Sequence, residues 1–411
     1  MSSPAGFLRL TFPLASINVL NQASRTLLAT IGPALSLEFG LSAAELGMLA
    51  ATFFASYALA QLPAGLAMDL YGVRRVQVLL ALVAGIGFLL CAVSTGIAVL
   101  AVGRLVAGLG LSVGMIAMLT AHTQWLPRTH VAGMTGLGVF VASFGGMAAT
   151  LPAQQLLPFT GWRGLFWIMA GMAVVASVWI AISVPERPAR TGPRPRLWEE
   201  IAAYRHVARH PAYRRLAPAI ALLSGLNFTY GALWAGPWLR DVGGYEGTAR
   251  AAMLMFFAAG MMVGSLLTAQ AASWFNRRGR DPMLVPGIAI AGLWLTQCLL
   301  IAHPWSNAGA IGAIWFLFAF LSAAGPSAYA ALGQRFPTEL AGRVGTLINF
   351  TMLVTVFVLQ NAIGWILDLW PRTDTGGWST AGYGWALGMT VAAQAATIIW
   401  ALNYKRDQPA G

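Results

Sequence analysis

The sequence predicts an all-α membrane protein, with twelve transmembrane helices in two pseudo-symmetric six-helix halves. Three observations carry this. Of the 411 residues, 58% are hydrophobic and 9% charged, whereas soluble domains carry about 25% charged residues. Apolar runs of about 20 residues recur along the chain, too long and too uniform for the alternating strands of a β-barrel. A long basic connection at 185–215 then divides these runs six and six.

In chain order the spans fall near 11–36, 46–68, 76–94, 97–120, 131–153, 164–184, 216–239, 250–272, 283–303, 308–331, 344–368 and 384–402. The halves are therefore 1–184 and 216–411, with 185–215 as a central loop. The Pro-rich start of that loop reads as extended, and LWEEIAAYRHVA as a short surface helix. The N-terminal MSSPAGFLRL has no small-residue cleavage pattern, so the first span is expected to stay in the mature protein. Cys91 and Cys298 both lie in apolar spans, which implies neither a disulfide framework nor a CxxC metal site.

The net charge of +12 is a matter of topology, not of nucleic-acid binding. With both termini cytoplasmic, 19 basic residues fall inside, including eight arginines of the central loop and the pair Arg74 and Arg75. Four fall outside: Arg163, Arg240, Arg250 and Arg372. That asymmetry sets the orientation. Arg25 and Arg104 remain within the membrane.

The first span holds the most informative stripe. Asn18, Asn21, Gln22 and Arg25 fall at i, i+3, i+4 and i+7 and share one helix face. Arg25 lies roughly 20 Å into the apolar stretch, near the midplane of a hydrocarbon core of about 30 Å. An ionised residue at that depth must face protein, water or a ligand. It binds substrate, or it is a structural arginine satisfied by amides and backbone carbonyls.

The halves also echo each other. Gly65, Asp69 and Gly72 of GLAMDLYG recur in spacing as Ala272, Asn276 and Gly279, 207 residues later. Cys91 and Cys298 share that offset, and QWLP (124–127) recurs as QRFP (334–337). Duplicated six-span halves around a midplane site are a transporter pattern.

GLAMDLYGVRR (65–75), with Gly65, Asp69, Gly72, Arg74 and Arg75, resembles the signature of the major facilitator superfamily between spans two and three. The likeness covers nearly the whole chain. It implies a conformational latch: glycines for tight turns and close approach, and Asp69 pairing with an arginine or a helix end. Asn276 replaces the acid in the second half. RLVAGLGLSVG (104–114) resembles the superfamily's fourth-span motif, in which glycines let helices pack closely. For Arg104 two readings stay open: a gate or coupling residue, or a structural arginine on backbone carbonyls. Within the superfamily, residues 25–72, WLP (125–127) and GWR (161–163) look most like the anion:cation symporter group. That likeness implies that Arg25 receives the anionic group of an organic substrate. SVGMIAM (112–118) lacks the glutamate that this group often uses for proton coupling.

All thirteen acidic residues fall in loops, tails or span ends, so no acid on this map shares the depth of Arg25 or Arg104. A guanidinium also suits bidentate recognition of a carboxylate. Both points favour an anionic cargo. Asn227, Tyr230 and Trp234, at i, i+3 and i+7 of span seven, are expected on the facing wall of the second half. Tyr57, Gln61, Asn349 and Gln360 are candidates for the same cavity, each with helix packing as its alternative. Trp238 reads as an interfacial anchor. His122, at the inner end of span four, is either a proton-coupling group or an ordinary helix-end residue.

No Walker loop, HExxH or nucleophile elbow is present, so the reading is not that of an enzyme, and no cofactor or metal is expected. The expectation is a monomeric secondary carrier of the inner membrane. Its partners are a small, anionic substrate, the lipid bilayer and protons, but not nucleic acid. It moves the anion by alternating access, by proton-coupled uptake or by exchange. The rivals are an efflux carrier, whose fifth-span Gly-Pro is missing from 136–152, and a non-transporting sensor or scaffold.

Overall fold

The computed structural model describes residues 4–186, 197–302, 307–374 and 376–403. These form sixteen α-helices: α1 (Pro4–Phe39), α2 (Ala43–Tyr71), α3 (Val73–Ala92), α4 (Ile97–Leu111), α5 (Gly114–Trp125), α6 (Arg128–Ala148), α7 (Leu151–Ser183), α8 (Leu197–Arg209), α9 (Pro211–Thr229), α10 (Ala235–Asp241), α11 (Gly247–Arg277), α12 (Leu284–Ala302), α13 (Ala308–Ser322), α14 (Gly325–Gly333), α15 (Thr338–Leu367) and α16 (Thr380–Asn403). Apolar chain becomes helix here because lipid offers backbone amides no partner, and a helix satisfies them internally. Pairs α4–α5 and α13–α14 are broken spans, and a π-turn at Tyr230–Trp234 joins α9 to α10. With those joins the architecture is the expected twelve-span one. Ten spans are long and apolar by composition alone, and Gly133–Ala148 is a shorter eleventh. The remaining span is α1, which carries the polar stripe. The surface helix expected in the central loop is α8. The extended Pro-rich stretch before it lies outside the described residues.

Local signals explain several ends. Ser42 and Glu45 form a capping box at α2: the Glu45 amide donates to Ser42 Oγ (3.1 Å) and the Ser42 amide to Glu45 Oε2 (2.9 Å). Asn307 caps α13 by accepting from the Ala310 amide at 2.7 Å. The duplication is written in the backbone as well. Gly40 and Gly247 both have positive φ (62° and 50°), as do Gly72 and Gly279 (86° and 70°), and each pair is 207 residues apart. Only glycine takes such turns without strain.

The chain forms two compact units. The first comprises 1–192 with 232–237 and 245–255; the second comprises 193–231, 238–244 and 256–411. In the first, α3 packs on α4 and α7, and α1 on α6. Close approach depends on glycine: a Cβ on Gly110 would stand 2.3 Å from the Ala84 amide nitrogen, and one on Gly103 2.8 Å from the Cys91 amide nitrogen. In the second unit Gly260 and Gly264 of α11 approach the Phe316 and Phe320 carbonyls of α13 in the same way (2.3 Å each).

Gly110→Leu is therefore expected to force α4 off α3, at an overpacking cost of about 1–3 kcal/mol. The check is the midpoint of heat-induced loss of the monodisperse peak. An unchanged midpoint would show that the contact yields freely.

Candidate functional site

In the first unit Arg25 is buried, 7% exposed. Its guanidinium lies 4.5 Å from the centre of the Tyr57 ring and 5.6 Å from that of Phe54, both on α2. Such faces attract a cation where water is absent. Asn21, one turn earlier, donates to the Tyr57 hydroxyl at 3.4 Å. Asn21 and Tyr57 are buried, and Gln22 is half-buried beside them. Gln61, one turn beyond Tyr57, is buried with no hydrogen-bond partner for its Oε1 among the described residues. The structure thus brings Asn21, Arg25 and Tyr57 together. Asn18 turns back on its own helix, donating to the Leu14 carbonyl at 3.0 Å.

Arg104 approaches the same stretch of α1. It is 1% exposed; Nη1 donates to the Ser24 carbonyl (2.8 Å) and hydroxyl (3.3 Å), and its guanidinium lies 4.8 Å from the Phe53 ring. Two consecutive residues of α1, Ser24 and Arg25, therefore each engage an arginine or supply one. Both guanidinia rest on the Phe53–Tyr57 turn of α2.

Backbone contacts grip α1 above and below. A Cβ on Gly145 of α6 would stand 1.9 Å from the Val19 carbonyl oxygen, and one on Gly236 of α10 1.8 Å from that of Ala29. Arg250, at the start of α11, donates to the Thr30 carbonyl at 3.0 Å. Residues 232–237 and 245–255, from the second half of the sequence, thus pack as part of the first unit, around α1.

The second unit holds Asn227, Tyr230 and Gln360. Asn227 Nδ2 donates to Ser322 Oγ at 2.7 Å, tying α9 to α13. Tyr230 stacks within an aromatic cluster of Trp238, Phe257, Trp315 and Phe318. Gln360 is fully buried, and its amide has no partner among the described residues. Asn349 is half-buried. Trp234, reached from Asn227 through the π-turn at Tyr230–Trp234, is fully buried. Trp238 is not an interfacial anchor. It is 1% exposed and packs edge-to-face on Trp315 at 5.3 Å, because the aromatic cluster encloses it.

The Major Facilitator Superfamily profile matches residues 14–360. This chain belongs to the Major Facilitator Superfamily. Its relatives include a probable sulfoacetate transporter of Cupriavidus necator, 22% identical, with 84% of this chain and 83% of that protein covered. A cis,cis-muconate transport protein of Acinetobacter baylyi is 29% identical, over 59% of this chain and 60% of that protein. Among solved structures, a bacterial homologue of the human lysosomal transporter Spinster superposes with a TM-score of 0.79 at 17% identity, covering 98% of this chain and 97% of that one.

The superfamily signature at 65–75 is only partly explained by geometry. Gly72 makes the α2–α3 turn with φ 86°. Gly65 lies inside α2, and among the described residues a Cβ there would meet nothing within 4 Å. Arg75 pairs with Glu186 at the end of span six, both exposed, while Arg74 is half-buried. The Asp69 side chain lies outside the described set. His122 is buried, with Nε2 3.0 Å from Thr11 Oγ1 and Nδ1 2.9 Å from Thr135 Oγ1. From the last turn of α5 it joins α1, α5 and α6.

Two residues outside the predicted set complete the site around the arginines. Phe53 and Phe54 form the shelf under the arginines; the FFxxY spacing beside a membrane arginine was the available signal. GWR acquires a mechanism. Gly161 kinks α7 at φ 62°; the Trp162 indole donates to Glu38 (2.6 Å), and Arg163 pairs with Glu38 (2.8 Å) while holding the Ser94 carbonyl. The Trp162 bond, reinforced by Arg163 and opposed by burial, holds the Glu38 carboxyl below its ordinary range. At the end of α10, Asp241 accepts from Arg240 (2.5 Å), the Trp378 amide (3.1 Å) and the Tyr383 hydroxyl (2.8 Å). That pair is only 13% and 2% exposed.

Asp241→Asn is therefore expected to cost about 3 kcal/mol of stability, read as a clearly lower thermal midpoint, because it strands a buried arginine. Adding Arg240→Gln is expected to recover part of the loss. A double variant no better than the single one would show that the two charges are not coupled.

Proposed function

We propose that this transporter carries a small organic anion of carboxylate type by alternating access, with Arg25 receiving the anionic end. The observation that carries the reading is the placement of Arg25: a permanently charged fork, buried within a span, seated on aromatic faces with Asn21 beside it. A guanidinium offers two parallel N–H donors that match a carboxylate or sulfonate edge. The aromatic shelf fixes its plane. The C. necator and A. baylyi relatives are named for sulfoacetate and cis,cis-muconate, both organic anions. Gln22 and Tyr57 are the further substrate contacts proposed beside Arg25 in the first unit; Asn227, Tyr230, Trp234 and Gln360 are the substrate contacts proposed in the second half of the sequence. The Gly72 hinge, with Asp69, Arg74 and Arg75, serves as the latch between conformations. The 19-to-4 distribution of basic residues supports an inner-membrane location with both termini cytoplasmic.

The test is uptake of a radiolabelled carboxylate panel into proteoliposomes, with and without an imposed proton gradient and with internal anion. Proton-driven accumulation marks symport, and acceleration by internal anion marks exchange. Arg25→Gln is expected to cut saturable uptake at least about thirtyfold, the cost of losing one partner of a desolvated charge pair, with an unchanged elution profile. Full uptake in that variant would remove Arg25 from the site.

A further inference from the structure

The second unit carries a cavity of about 420 Å³ with no part in the carrier reading. Its lining includes Ala208 of α8, Tyr213, Arg214 and Pro218 of α9, Thr351 of α15 and Trp400 of α16. The polar atoms of its wall are already used. The Tyr213 hydroxyl lies 2.7 Å from Thr351 Oγ1, and the Trp400 indole donates to the Arg214 carbonyl at 2.9 Å. An entering molecule therefore meets an apolar wall. What remains polar is cationic: Arg214 is exposed, as is Arg205, which lies three residues before Ala208 on the same face of α8. Among the described residues no carboxylate pairs with either. Next to Trp400 in the last turns of α16, Ile399 and Leu402 are exposed, Leu402 by 73%. The helix α8 is amphipathic, with Val207 fully buried.

We infer that this groove binds one anionic glycerophospholipid, its acyl chain along the Ala208–Pro218–Trp400 wall and its phosphate between Arg205 and Arg214. The occupant follows from charge and position. Two guanidinia with no carboxylate beside them among the described residues repel cations. Exposed apolar residues at the end of a span sit where acyl chains meet headgroups, and basic residues at that height attract anionic lipid. A soluble anion would gain nothing from the apolar wall, and a zwitterionic lipid would offer no net charge to the arginines.

The experiment uses the full-length purified protein in delipidated detergent. It reads lipid occupancy by native mass spectrometry and thermal midpoint on adding phosphatidylglycerol, phosphatidylcholine or inorganic phosphate. Phosphatidylglycerol is expected to bind and raise the midpoint, and the other two to leave it unchanged. Arg205→Gln with Arg214→Gln is expected to weaken binding by roughly fivefold per arginine removed. Ala208→Trp, which fills the groove on a surface helix and leaves every charge in place, is expected to abolish it. Each variant must match the parent midpoint without lipid; one that does not is replaced by Arg214→Gln alone, with the same direction expected. Equal response to phosphatidylcholine, a matching response to phosphate, or undiminished binding in Ala208→Trp would each overturn the inference.

Discussion

A guanidinium keeps its charge at any physiological pH, so a helix that takes one into the bilayer must have protein around it to solvate it. That requirement organises the first unit. Arg25 projects from α1 onto the Tyr57 and Phe54 rings, and Arg104 comes from α4 onto Phe53 and the Ser24 carbonyl. Both charges are met by one turn of α2 and one of α1. The three helices cannot separate without exposing a cation to lipid. Close packing is then supplied by glycines, whose missing side chains let α6 and α10 reach the α1 backbone itself.

The second unit meets the membrane differently. Its middle is aromatic, around Trp315. Its polar interior is amide and hydroxyl: Gln297 donates to Gln394 at 2.5 Å and accepts from Thr390 at 2.7 Å, linking α12 to α16. Such neutral bonds hold helices without the desolvation cost of a charge. Charge is confined to the ends of spans, as in the Arg240–Asp241 pair.

The twelve spans were legible because the bilayer leaves few solutions: length and polarity of each apolar run decide it. The stripe Asn21–Arg25 and its partner Tyr57 were legible for the same reason, since a charge at that depth announces itself. Side-chain roles that depend on packing were not. Trp238 reads as an anchor by position alone, and only the cluster around Trp315 makes it a core residue. The π-turn at Tyr230–Trp234 winds with a longer period than the 3.6 residues of an α-helix, which the sequence pattern cannot anticipate. Gly65 fits a motif whose other glycine, Gly72, makes the turn. The reverse holds for GWR, where a three-residue phrase proved to be a kink, a hydrogen bond to Glu38 and an ion pair.

The most direct test of the central idea, that Arg25 on its aromatic shelf selects for anions, compares ligands of one skeleton and opposite charge. Thermal stabilisation of the wild-type protein would be measured against matched aromatic and aliphatic carboxylates, sulfonates, amines and neutral amides. Ligands that bind the folded state raise its apparent stability by mass action. The account predicts stabilisation by members of the carboxylate or sulfonate series and none by their amine or amide counterparts. Stabilisation by amines or neutral amphiphiles, with the anions silent, would contradict it.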